Sequence, residues 1–137
     1  MAGRMSDSDV NNILNNRFGL VASTPPASYY FALVLTAPTD NVGTGLVEVS
    51  AAGYARVAVT NNTANFPAAT NRVKANGTVI QWPSAGAPWG SVVGVALFDA
   101  LTGGVFRAYA PLTAPVNVVA GNTPLVQVGN FTVTTPA

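Results

Sequence analysis

The chain has 137 residues and 14.0 kDa, balances six basic against five acidic side chains for a net charge of +1, and contains neither cysteine nor histidine. Those two absences exclude disulfides, thiolate metal sites, Cys–His and Ser–His–Asp nucleophile systems and the usual near-neutral acid–base group. Charged residues make up 8% of the chain, against about 25% in ordinary soluble domains, while hydrophobic residues reach 49%.

This length fits one domain with a real core. Polarity comes from thirteen asparagines and fourteen threonines, so the exposed faces are expected to be neutral amide and hydroxyl surface. Such a surface costs little to desolvate against a protein partner and suits permanent assembly. Lys74 is the sole lysine, and the arginines at 4, 17, 56, 72 and 107 are dispersed, so no nucleic-acid partner is expected. No stretch reaches the ~20 apolar residues of a membrane helix, and the start lacks the apolar core of a secretion signal. The expectation is synthesis in the cytoplasm and no membrane partner.

Met1 to Ser6 carry no periodic pattern. Asp7 or Ser8 can then cap a short helix whose apolar positions Val10, Ile13, Leu14 and Phe18 fall at helical spacing, with Gly19 able to end it. The asparagine pairs at 11–12 and 15–16 are mediocre helix formers, so the stripe must dock, on its own sheet or on a neighbour, to hold the segment. Arg4 and Arg17 flank it and join the stripe as candidate interface residues, since arginine serves interfaces through planar multidentate bonding. The chain thus divides into an N-terminal arm with a short helix, 1–19, and a β domain, 20–137.

After Pro25 and Pro26, Tyr29 to Thr36 is too apolar for a strand with one wet face and reads as a central strand. Pro38 to Gly45 is a loop. The stretch from Glu48 to Val59 reads as a turn at Gly53 feeding a strand, in which Tyr54, Arg56 and Ala58 alternate with Ala55, Val57 and Val59. A tight turn lets Glu48 fold back toward the Arg56 guanidinium. Such a pair is either a site or a structural tie between loop and sheet, and the lack of other chemistry nearby favours the tie.

Residues 61 to 71 are polar and irregular, an exposed contact loop or a plain connection, with Phe66-Pro67 as its anchor; Phe66 and Arg72 complete the candidate interface set. Asn76-Gly77 signals a tight turn before a strand at Thr78 to Trp82, which Pro83 stops. A loop delivers Trp89-Gly90, and Ser91 to Phe98 is the second apolar strand, with Gly94 permitting close packing or a bulge. Asp99 to Gly104 is a hairpin loop, Gly103 and Gly104 supplying positive φ, and Val105 to Ala110 is its return strand. Pro111 and Pro115 bracket a connection to Val116–Val119, followed by strands at Leu125–Val128 and Phe131–Thr134. The sum is mainly β: a single antiparallel β-sandwich of about eight strands, jelly-roll-like or Ig-like, with a short N-terminal helix.

Little chemistry remains. Paired carboxylates can hydrolyse a glycosidic bond, but Asp40 and Asp99 each stand in a loop with turn duties, and a Ser–Lys nucleophile would have to use Lys74, around which no motif lies. Trp82 and Trp89 are either platforms for a flat ligand or core plugs whose ring N–H finds a carbonyl, the second being the commoner arrangement. No catalytic residue, metal or cofactor is expected. Glu48, Gly53, Tyr54, Arg56, Trp89, Asp99, Gly103 and Gly104 are assigned structural roles.

The ordered set Glu-Val-Ser-x-x-Gly-Tyr-Ala-Arg at 48–56, Asn-Gly-x-x-Ile at 76–80, Trp-Gly at 89–90, Leu-Phe-Asp-Ala-x-Thr-Gly-Gly at 97–104 and Gly-Asn-Thr-Pro at 121–124 resembles small virion proteins of tailed bacteriophages, tail fibre and head decoration or cement proteins among them. The similarity spans residues 8 to 134, with Ala51-Ala52 replacing a glycine-rich spacing and residues 60–75 showing less of the pattern. It implies a structural virion component without enzyme activity or cofactor. The expected role is a capsid decoration protein on the outer face of the head, a homotrimer bridging subunits of the major capsid protein. The alternative is a tail fibre or baseplate module binding a host-surface receptor or sugar, marked by an exposed aromatic cleft that includes Trp82 or Trp89.

Overall fold

The two most apolar runs of the sequence lie side by side at the centre of the molecule. The computed structural model describes residues 1–135, which form β1 (Ala2–Met5), α1 (Asp7–Arg17), β2 (Ser28–Thr36), β3 (Val47–Glu48), β4 (Val57–Thr60), β5 (Val73–Ala75), β6 (Ile80–Gln81), β7 (Gly90–Phe98), β8 (Phe106–Val118), β9 (Leu125–Val126) and β10 (Thr132–Thr134). β2 and β7 pair antiparallel with Ala32 opposite Ala96, and β7 continues through the 99–104 loop into β8. Eight strands make one sheet in the order β3-β2-β7-β8-β1-β10-β5, with β4 also beside β2; β6 and β9 form a separate pair.

This sheet is rolled. β10 stands four steps from β2, about 19 Å away if the sheet were flat at roughly 4.8 Å per step. Yet the ring of Phe131, just before β10, meets Phe31 of β2 edge-on at 5.0 Å, and Phe66 stacks on the same Phe31 at 6.3 Å. Twist accumulated over the intervening strands brings the two sides of the sheet face to face around an aromatic core. Ile80, Trp82 and Val126 of the small sheet region belong to the same buried cluster as Leu33, Val92 and Val95, so β6 and β9 cover the concave side. On the opposite face a smaller cluster of Ala32, Val34, Ala96 and Phe106 is covered by Leu46 from the loop after β2.

The fold is mainly β and mostly antiparallel with one N-terminal helix, as the turn spacing predicts, but its two sheets are very unequal. Met1 to Ser6, patternless in sequence, contribute β1, antiparallel to β8 and parallel to β10, with Arg4 opposite both Tyr109 and Thr134. Close approach rather than alternation places it: a Cβ on Gly3 would fall 2.6 Å from the Tyr109 carbonyl oxygen. β8 runs through both prolines expected to interrupt it, because the register shifts between Val92↔Val116 and Gly94↔Pro111. Residues 112–115 bulge from the ladder, so Pro115 has no ladder N–H to supply, while Pro111 stands at the edge of the bulge opposite Gly94.

Four predicted strands shorten, those over Leu125–Val128 and Phe131–Thr134 to Leu125–Val126 and Thr132–Thr134. The one expected from Tyr54 begins at Val57, and that expected over Thr78–Trp82 contracts to Ile80–Gln81. Asn76-Gly77 is not a tight hairpin, since neither residue takes positive φ. Asn76 is instead 2% exposed, its amide nitrogen donating to Thr78 O at 2.8 Å and Gln127 O at 2.9 Å while its oxygen accepts from Phe131 N at 2.9 Å. The helix forms where expected but starts one residue earlier: the cap is neither Asp7 nor Ser8 but Ser6, whose buried hydroxyl accepts from Asp9 N–H at 3.2 Å. None of its residues is buried, so the apolar stripe is not docked on the sheet.

Candidate functional site

β3 and β4 line up along one edge of β2, with Glu48 opposite Val34 and Val57 opposite Phe31. Between them residues 49–56 leave the ladder, which would strand the Leu33 N–H. The Tyr54 hydroxyl fills that place: it accepts from Leu33 N at 3.0 Å and donates to Glu48 Oε1 at 2.6 Å. The return turn runs through Gly53 at φ 81°, as its position predicts.

Arg56 completes the cluster. Its Nε and Nη2 donate to the two carboxylate oxygens of Glu48 at 2.9 and 2.7 Å, and its Nη1 donates to the carbonyls of Ala100 and Gly103, both at 2.8 Å. The guanidinium lies 3.9 Å from the centre of the Phe98 ring. Trp89 meets Tyr54 edge-on at 5.3 Å and donates from Nε1 to Ala52 O at 3.0 Å. The Glu48–Arg56 pair therefore fastens the 49–56 excursion, the β2 edge and the 99–104 hairpin together. Burial, and then the Glu48 carboxylate that takes its hydrogen bond, push the Tyr54 phenol far above the ordinary tyrosine range, so it holds its proton.

A second ionic cluster lies on β8. Arg107 donates from Nη1 to Asp9 of α1 at 2.6 Å and from Nη2 to Asp99 at 2.8 Å, while Asp99 also accepts from Val105 N at 2.7 Å across its own loop. Asp9 and Asp99 are the two acids that approach each other, and one guanidinium occupies both. Burial raises the Asp9 carboxyl against the pull of Arg107. Burial also acts upward on Asp99, but the Val105 N–H and Arg107 outweigh it and hold that carboxyl low.

The two act oppositely on stability. Asp99 contributes stability above the pKa of an unfolded carboxyl, and that is lost as pH falls through its depressed folded value. Asp9 costs stability when ionised, and the cost is relieved as pH falls through its raised value. In a carboxyl-carbon NMR titration Asp9 is expected to protonate above 3.8 and Asp99 below it. The reverse order would show that burial does not govern Asp9.

The remaining candidates fall into place around these clusters. Asp40 accepts from Val42 N and Thr44 N, each at 3.0 Å, the turn duty its loop predicts. Trp82 and Trp89 are 1% and 2% exposed, so neither is a platform; Trp89 finds its carbonyl, whereas the ring nitrogen of Trp82 has no hydrogen-bond partner. Phe66 is the anchor of its loop and lies in the core, 9% exposed. Arg4, Arg17 and Arg72 are exposed, as are Ile13, Leu14 and Phe18, while Val10 is half-buried. A cleft of about 400 Å³ is lined by Tyr29, Phe66, Leu97 and Phe131, with Arg72, Lys74 and Arg107 also in its wall. Among the described residues no group of acids is arranged to hold a metal ion.

Sequence reading missed Asn76 as a buried staple and Arg107 as the hub of two acids. Asn76 hides inside a turn-forming dipeptide, and Arg107 and Asp9 are 98 positions apart.

Residues 4–134 match the family model described as podophage GP4 fiber I protein gp80. No curated protein matches the chain. The match bears out the resemblance to tailed-phage virion proteins, but it is to fibres and gives no support to head decoration or to a place on the outer head surface. The chain belongs to the podophage GP4 fiber I protein gp80 family, and is a structural virion protein of the tail fibre type, not an enzyme.

Proposed function

We propose that the chain is a stiff module of the tail fibre whose task is to hold other virion chains by surface contact. The observation that carries this reading is where the charges go. Glu48, Arg56, Asp9, Asp99 and Arg107 all pair within the protomer and tie loops to strands. They stiffen the body and leave six dispersed charges, Arg4, Asp7, Arg17, Asp40, Arg72 and Lys74, on a surface otherwise made of amides, hydroxyls and exposed aliphatic side chains, which is inexpensive to bury against protein.

Particles made without this chain are expected to keep filled heads and lose fibre density in electron micrographs. A quantitative gel of purified virions is expected to show a few to dozens of copies per particle. Hundreds of copies, or label on the head shell, would overturn the reading.

A receptor-binding reading of the same fibre rests on the cleft beside Tyr29 and Phe66, since the tryptophans are buried. Arg72→Ala with Lys74→Ala should then reduce adsorption to host cells while the fibre stays attached. Unchanged adsorption removes that reading.

A further inference from the structure

We infer that α1 pairs with the α1 of a second copy of this chain, the two helices running antiparallel. Asp7, Val10, Leu14 and Arg17 are spaced three, four and three apart, the interval that lines one seam of a helix, and Ile13 and Phe18 flank that seam. Within the protomer only Val10 is partly covered, and the rest of the seam is exposed. Ile13 is 44%, Leu14 48% and Phe18 84% exposed, and Leu20 and Val21 extend the apolar surface at 90% and 56%. Four asparagines and a length of 11 residues give the helix little stability of its own. Its attachments to the body all lie at its start: the Ser6 cap, Asp7 N–H on Asn41 O, and Asp9 on Arg107.

The ends of the seam decide what covers it. Asp7 and Arg17 are exposed and enter no ion pair among the described residues, and they have opposite sign. An antiparallel second copy places Asp7 against its Arg17 at one end and Arg17 against its Asp7 at the other, with Val10 facing Leu14 twice between them. It also sets the two helix dipoles head to tail. A parallel pair, or the threefold assembly expected from the sequence, gathers like charges at both ends of the seam, which disfavours that arrangement. The apolar side chains supply the affinity and the charges supply the direction. This inference does not rest on the fibre reading, since it concerns only how two copies meet.

The chain has no cysteine, so single cysteines report the geometry cleanly. Under oxidation an equal mixture of Val10→Cys and Leu14→Cys is expected to give a cross-linked dimer joining unlike variants, with much less from either variant alone. In sedimentation velocity, Arg17→Asp is expected to weaken self-association roughly tenfold or more, and Asp7→Arg in the same chain to restore it. Circular dichroism of each variant checks that the helix persists. Cross-links between like variants would overturn the antiparallel arrangement, as would failure of the double exchange to restore association. A chain that stays monomeric at its highest soluble concentration would overturn the pairing itself.

Discussion

Arg56→Met is expected to lower the free energy of unfolding by about 3 kcal/mol, read from the shift of a denaturant midpoint at unchanged slope. The side chain of Arg56 is 7% exposed and that of Glu48 22% exposed, so the variant leaves a largely desolvated carboxylate with the Tyr54 hydroxyl as its remaining side-chain partner. It also removes the donor from the Ala100 and Gly103 carbonyls. The partial exposure of Glu48 keeps the figure at the lower end of the range for a broken buried pair. Glu48→Gln should cost less, because a neutral amide tolerates the loss of its cation, and the double variant should cost less than the sum of the singles. A loss below about 1 kcal/mol would mean that the pair behaves as a surface ion pair and does not hold the hairpin to the sheet.

Asn76→Ala is expected to be comparably severe, at about 3 to 4 kcal/mol, although it removes no charge and little volume. Three backbone groups lose their partner at once: the Thr78 and Gln127 carbonyls and the Phe131 N–H. Each buried group left unsatisfied costs about 1–3 kcal/mol, with some relief from water entering the vacated space. Phe131 seats on Phe31, so the loss should reach the aromatic core and broaden the near-ultraviolet spectrum of the folded state. Asn76→Asp keeps the acceptor but sets a carboxylate against the two carbonyls, and should be at least as damaging at neutral pH. A variant within about 0.5 kcal/mol of the parent would show that the turn alone positions Phe131.

What could be read from the sequence was local. The apolar runs became β2 and β7, the Asp-x-x-x-Gly-Gly segment became the hairpin between β7 and β8, and the stripe from Val10 to Phe18 became α1. The Glu48–Arg56 pair was legible because a turn at Gly53 brings two neighbours in sequence together, and Trp89 found a carbonyl as its position after a loop suggests. What could not be read was set from a distance. β1 has no period because its neighbours lie far along the chain and admit it through a glycine. The β8 prolines look like breaks, yet Pro115 falls in the bulge opposite Val93, where no ladder N–H is required, and Pro111 stands at its edge. The rolling of the sheet follows from accumulated twist, which no residue announces. Head or tail lay beyond physical reading of this sequence, since a neutral skin serves either place equally; the family match is to fibres and lends the head no support.

The placement of β1 bears on how the chain is made. Ala2 to Met5 are made before β8 and β10, yet Met1 accepts from Thr132 across a sequence separation of 131, and Ser6 N–H bonds to the Arg107 carbonyl. β1 must therefore wait, unpaired, until β8 has been translated, and for its second partner until β10 has followed, and closing loops of that length is slow. Because α1 hangs from β1 and from Arg107, its apolar seam is held in position only once β8 has been made. A fragment that stops short of β8 would lack the Arg107 anchor that orients the helix, so the order of synthesis withholds a positioned seam from such copies.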